Sequence, residues 1–206
     1  MPLPRRDNRQ SLLRAGLYGI ALIWPALTFA SDAVENLRRQ VIGTWISENI
    51  QEAKSPDGSQ SAFLRNSVVF TPDSEILRVE AFSDRDLKQP LFTYESKGPY
   101  HLLQASPVIP GAIEANLKNE SSLFTAHRDA PQIWKSINLG GCPLVVGKAV
   151  EISGCVSGPP FNTSGCVDQD LIHVDGNRLR FGDQQVDRCK QRPTTLDRTF
   201  YVRQGG

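Results

Sequence analysis

The stretch "QVIGTWIS" (40–47) decides how the chain reads. Gly43, one spacer and Trp45 stand at its centre, directly ahead of a long succession of short alternating segments. A Trp so placed is either the plug at the base of a β-barrel or one ring of an ordinary small core. What lies on either side of the stretch bears on that choice.

Upstream lies a leader. Arg5, Arg6, Arg9 and Arg14 form a basic start, and "AGLYGIALIWPALTFA" (15–30) is apolar and uncharged, ending in Thr28-Phe29-Ala30. A basic start, an apolar run and a small-x-small end are the form of a cleaved secretory signal peptide. The run is shorter than the roughly 20 residues a spanning helix needs, and Pro25 sits within it. Residues 1–30 therefore read as a signal peptide and 31–206 as a single domain. The expected location is secreted or periplasmic, with no membrane span after cleavage.

Composition agrees with a soluble globular domain: 206 residues, 39 % hydrophobic and 22 % charged. The formal charge is +1, and the leader carries four arginines and one aspartate, so its removal leaves a slightly acidic chain. That argues against a nucleic-acid partner. Cys142, Cys155, Cys166 and Cys189 lie 13, 11 and 23 residues apart, which is not the close-pair spacing of a zinc site. In an exported chain an even number suggests two disulfides, with three pairings open. Of these, Cys142–Cys155 and Cys166–Cys189 is the arrangement we predict.

Downstream, "SDAVENLRRQ" (31–40) reads as a short helix, with Val34, Leu37 and Val41 at helical spacing. The remainder reads as strands. Segments 62–70, 76–82, 90–96, 98–106, 111–119, 121–127, 142–152, 169–174, 178–182 and 198–204 alternate with period two between Gly, Pro, Asn and Asp. Asn119-Glu120 and Asp175-Gly176-Asn177 are tight enough for hairpins. About ten short strands joined by short turns predict an all-β, antiparallel barrel, in which closure removes exposed edges.

Two resemblances follow from these segments. "VIGTWIS" resembles the opening Gly-x-Trp strand of lipocalins, whose Trp closes the barrel floor under an Arg from the last strand. Arg198 and Arg203 flank the last predicted strand, and Arg203 is the structural partner expected for Trp45. Over roughly residues 37–200 the chain also resembles the APCDD domain of the adenomatous-polyposis-coli down-regulated proteins. "LRRQVIGTWIS", "AFLRNSVVF", "FSDRDLKQPLFTYESKGPYHLLQAS", "VIPGAIEANL", "VEISGC" and "DLIHVDGNRLRFGD" follow the family's order, with "QRPTTLD" after them. The chain departs from that family in having one domain, no later apolar span, and no Cys in "SENIQEAKSPDG" or "SDRDLKQP". The resemblance implies a lipocalin-like barrel with an apolar cavity and, in animals, inhibition of Wnt signalling.

No catalytic constellation stands out. His101, His127 and His173 lie on separate predicted strands, no Gly-x-Ser-x-Gly elbow or P-loop is present, and acidic residues look scattered. No cofactor or metal is expected. Asn119-Glu120-Ser121 and Asn162-Thr163-Ser164 match a glycosylation pattern that short sequences often meet by chance. The aromatic residues lead elsewhere: Phe70, Phe82, Phe92, Tyr94 and Tyr100 are the candidate ligand-binding residues if the interior is hollow. The expected function is an exported lipocalin-like binding protein for a hydrophobic ligand, with a lipid as the expected class. The alternative is an exported protein–protein interaction or inhibitor module with a filled barrel, its partner a lipidated or envelope protein.

Overall fold

The computed structural model describes residues 26–54, 61–156, 161 and 166–205, with backbone alone for 26–31. Most of the predicted leader, and the second glycosylation pattern, lie outside the described residues. Helix α1 (Ala26–Val41) is followed by β1 (Gly43–Ser47), β2 (Gln51–Lys54), β3 (Ser61–Phe70) and β4 (Glu75–Phe82). Then come β5 (Pro90–Gly98), β6 (Tyr100–Ala105), β7 (Ala112–Lys118) and β8 (Ser121–Ala126). Helix α2 (Pro131–Ser136), β9 (Ala149–Glu151), β10 (Val167–Asp175), β11 (Arg178–Phe181) and β12 (Tyr201–Arg203) complete the order. Among the described residues no helix is long and apolar enough to cross a membrane.

All the strands form one antiparallel sheet in the order β6-β7-β10-β11-β12-β1-β3-β4-β5-β8-β9, with β2 added beside β3. The strand pairs near the two ends of this path, β6-β7 and β5-β8, belong to the same stretch of chain. β5 runs into β6 through Pro99, and β7 runs into β8 through Asn119 and Glu120. β5 pairs with β8 and β6 with β7, so the four make one long bent ribbon. Its ladder continues through the bend: Lys118 N donates to Pro99 O at 3.1 Å and Glu120 N to Lys97 O at 2.9 Å. The sheet is thus curled and barrel-like; with β5–β6 and β7–β8 each taken as one bent strand, and β2 and β9 set aside, neighbours around the curl follow chain order, with β12 beside β1.

The bend depends on Gly98. A Cβ there would lie 1.7 Å from the carbonyl oxygen of Lys118, so only a residue without one lets the two strands cross this closely. Asn119-Glu120, expected as a hairpin turn, is instead the point where one strand changes partners, because β7 and β8 pair with different neighbours. Asp175-Gly176-Asn177 does form a hairpin: Asp175 pairs with Arg178, and Gly176 takes φ 60°.

Further corrections concern lengths. The strand expected over 142–152 shrinks to β9, and the preceding segment is a looped turn held by Gly147 N to Ala126 O at 2.8 Å. Its Val145 and Val146 are about half exposed, so apolar character there reflects no ladder. Helix α1 begins earlier than the predicted 31–40. Leu37 and Val41 are buried against the sheet while Glu35 pairs with Arg38 and Arg39 on the outer side.

Two apolar cores fill the ends of the curl. The first surrounds Trp45, which is fully buried among Val41, Val68, Phe70, Leu179 and Tyr201. The Trp45 indole N–H donates to Val41 O at 2.7 Å, and the Arg203 guanidinium lies over the ring at 4.2 Å. Arg203 also donates to the carbonyl oxygens of Ile42 and Gln40, fastening the last strand to the start of the first. Gly43 has φ 132°, and a Cβ on it would come within 2.7 Å of Arg203 Nη1. The spacing Gly-x-Trp thus leaves room for the stacked arginine. The second core gathers Phe92, Phe124, Trp134 and Phe161, with α2 and the Cys142–Cys155 disulfide as its cover.

Gly98→Ala is expected to cost about 3 kcal/mol or more in denaturant unfolding, because the clash is with backbone and cannot be relieved by a rotamer change. Gly154→Ala, whose Cβ meets nothing within 4 Å, is expected to change stability by under about 0.5 kcal/mol.

Candidate functional site

Pleating sends alternate residues of each strand inward. On β4 these are Glu75, Leu77 and Val79, on β5 Phe92, Tyr94 and Ser96, and on β3 Leu64 and Asn66; all line a cavity of about 410 Å³ between the two cores. Leu64, Leu77 and Val79 are only half-buried although they point inward: all three line the cavity, and Leu64 and Val79 also touch the second core. This wall is largely apolar. The opposite wall, from β10 and the segment after β11, is charged: Asp168 and Asp170 with Arg188 between them.

The charged wall is held by a network. Asp170 is fully buried, and its Oδ1 accepts from Leu171 N at 2.7 Å and Gly182 N at 2.8 Å. Its Oδ2 accepts from Arg188 Nη1 at 2.5 Å, and Arg188 Nη2 reaches Asp168 Oδ2 at 3.2 Å. Burial pushes the Asp170 carboxyl above the usual range, and the guanidinium and two amides pull against it. The Cys166–Cys189 disulfide ties the start of β10 to this segment, and Gln169 N donates to Arg188 O at 3.0 Å. Arg188 is thereby placed between two aspartates. Arg192 braces the outer side, donating to Ala115 O at 2.6 Å, to Asn116 Oδ1 at 2.9 Å and to the Asp170 carbonyl.

Glu75 is different. It is 6 % exposed, and among the described residues its carboxyl accepts no hydrogen bond and forms no ion pair. Burial, then the charges of Asp170 and Asp168, push its pKa up to about 8, with Arg188 pulling the other way. Glu75 sits opposite Phe70 on β3 and Gly98 on β5. The missing side chain of Gly98 leaves the carboxyl beside the ribbon's bend. Across the bend Leu117 pairs with Asp168, so acids from strands far apart in the sheet path converge. Tyr94 and Tyr201 also line the cavity, and burial raises both phenols, Tyr201 to about 12.

Of the five aromatic residues singled out in the sequence, Phe92 and Tyr94 line the cavity. Phe70 and Tyr100 meet edge to face at 5.1 Å in the first core, where Tyr100 OH donates to Thr71 O at 3.0 Å. Phe82 lies under the Arg65 guanidinium at 5.8 Å. The three histidines stay apart; His127 meets Thr93 Oγ1 at 2.9 Å, and burial lowers His173. Asn119 of the first glycosylation pattern is half-buried and faces the cavity. Among the described residues the one grouping with metal-ligand proximity is Cys166, Asp168 and Cys189, and its two sulfurs are spent in a disulfide.

The sequence reading missed the carboxylates, which it took as scattered. A signal was present: Glu75 is in phase with Leu77 and Val79, and Asp168 and Asp170 are in phase with Ile172. An acid on the apolar phase of a strand is bound inward. No protein-family model matches this chain, and a search of curated proteins finds no match.

The raised pKa of Glu75 makes stability depend on pH. Folded Glu75 holds its proton up to about 8 whereas the unfolded group releases it near 4.5. The native state therefore binds more protons between these values, and stability falls as pH rises through the window and levels above it. Glu75→Gln removes this contribution, so its stability relative to wild type should improve steadily from pH 5 to pH 8 in chemical denaturation. A constant difference across that range would contradict the assignment.

Proposed function

We propose that the chain is an exported lipocalin-like barrel that binds one small, largely apolar ligand of the lipid class. The observation that carries this reading is the hollow interior: about 410 Å³ of space between two packed cores, walled in part by the half-buried apolar side chains of Leu64, Leu77 and Val79. A barrel of about eight strands either fills with side chains or holds one small ligand. Here the filling is confined to the ends. The chain-order pairing of strands and the Arg203 cover on Trp45 support the lipocalin-like description.

Two disulfides are compatible with an oxidising compartment, which supports export, and the resemblance to the APCDD domain points the same way. By that resemblance the ligand is the lipid of a secreted signalling protein or a free lipid. A binding role is supported by the engagement of Asp168, Asp170 and Arg188 with one another.

Val79→Trp puts a large ring into the space and keeps the apolar character of the wall. Wild type is expected to bind an environment-sensitive apolar probe at one site per chain, and Val79→Trp to lose at least tenfold in affinity while retaining the β-sheet circular dichroism. No saturable binding by wild type would overturn the reading and favour an interaction module.

A further inference from the structure

The cavity's unmet chemistry is one-sided. Buried polar groups are normally hydrogen-bonded, so one that is not marks a position where a partner is missing. Among the described residues Asn66 Oδ1 is buried without a partner, and the Glu75 carboxyl, on a residue 6 % exposed that lines the cavity, takes part in no hydrogen bond or ion pair. The amide oxygen is an acceptor, and the carboxyl becomes an acceptor-only group once it gives up its proton. Asp170 is fully engaged and Arg188 is spent on two aspartates, so neither asks for a ligand atom. Charge points the same way. Among the described residues Glu75, Asp168, Asp170 and Asp197 line the cavity against one cation, Arg188. An anionic head, such as a free carboxylate or phosphate, meets an acidic floor and loses its hydration there.

We propose that this cavity selects amphiphiles with a cationic, hydrogen-bond-donating head, a primary ammonium seated on the Glu75 carboxylate with its apolar tail along Leu64, Leu77 and Val79. The inference rests on the binding reading above and names the ligand class for the same site. An ammonium brings three donors and one positive charge to a carboxylate that has neither. Asp168 and Asp170 on β10, with Asp197, add to the favourable potential; Arg188 opposes it, and Tyr94 on β5 and Tyr201 on β12 are neutral phenols. Free Glu75 holds a proton below about pH 8. Seating the ammonium releases that proton to solvent, so one proton leaves for each cation bound.

The test uses the full oxidised chain and three ligands with one tail: dodecylamine, dodecanol and dodecanoate, below their aggregation concentrations, by titration calorimetry. The expected order at pH 7.5 is amine tightest, by at least tenfold over the alcohol, and carboxylate weakest. Amine affinity should rise about tenfold per pH unit between pH 6 and 7.5, as release of one proton requires. Glu75→Gln, an isosteric change, should cost the amine at least tenfold and flatten its pH profile. If all three ligands bind alike, or if Glu75→Gln leaves the amine preference intact, the head-group assignment is overturned while the cavity reading stands. If none binds, the cavity reading falls and this inference with it.

Discussion

The architecture depends on one close approach, that of Gly98 to the carbonyl oxygen of Lys118. A residue with a Cβ does not fit there. Because Gly98 does, two long strands cross a bend without losing their ladder, and each half of the ribbon pairs with a different end of the sheet. The curl of the sheet is therefore set by the ribbon more than by strand twist alone. Strand twist supplies the direction of curvature, and the bend lets the far ends of the sheet path meet.

The same bend determines the chemistry of the interior. Glu75 pairs with Gly98, and Asp168 pairs with Leu117 just across the ribbon. These positions lie near opposite ends of the sheet path, and only the ribbon makes them neighbours. Burying acids this way is costly, and the protein offsets the cost unequally. Asp170 and Asp168 are paired with Arg188, whereas Glu75 is left to keep its proton. The two packed cores, one stapled by Arg203 over Trp45 and the other by the Cys142–Cys155 disulfide, keep the ends of the curl filled and leave the middle open.

Much of the fold was legible because it rests on local signals. Strand alternation, the Asp-Gly hairpin at 175–176 and the Gly43-x-Trp45 spacing are all patterns within a few residues. The bend was not legible, since Asn119-Glu120 looks like a hairpin turn until it is known that β7 and β8 have different partners. Phe70 and Tyr100 were indistinguishable from Phe92 and Tyr94 in pattern. All four lie on strands and are buried, and which ones reach the cavity depends on their height along the curl. The acids were legible in part. The phase of Glu75 with Leu77 marks it as inward, but its meeting with Asp168 is a long-range consequence of the ribbon. Arg188 sits in an irregular segment whose position is fixed by the Cys166–Cys189 disulfide, and no periodicity reaches it.

The central claim is that a hollow interior carries an unpaired buried acid at the bend. It is tested most directly by the carboxyl carbon resonance of Glu75, assigned by comparison with Glu75→Gln and followed across pH in the ligand-free protein. The account predicts a titration midpoint near 8. A midpoint near the ordinary 4.5 of an exposed glutamate would show that the group is solvated or paired, and would contradict it.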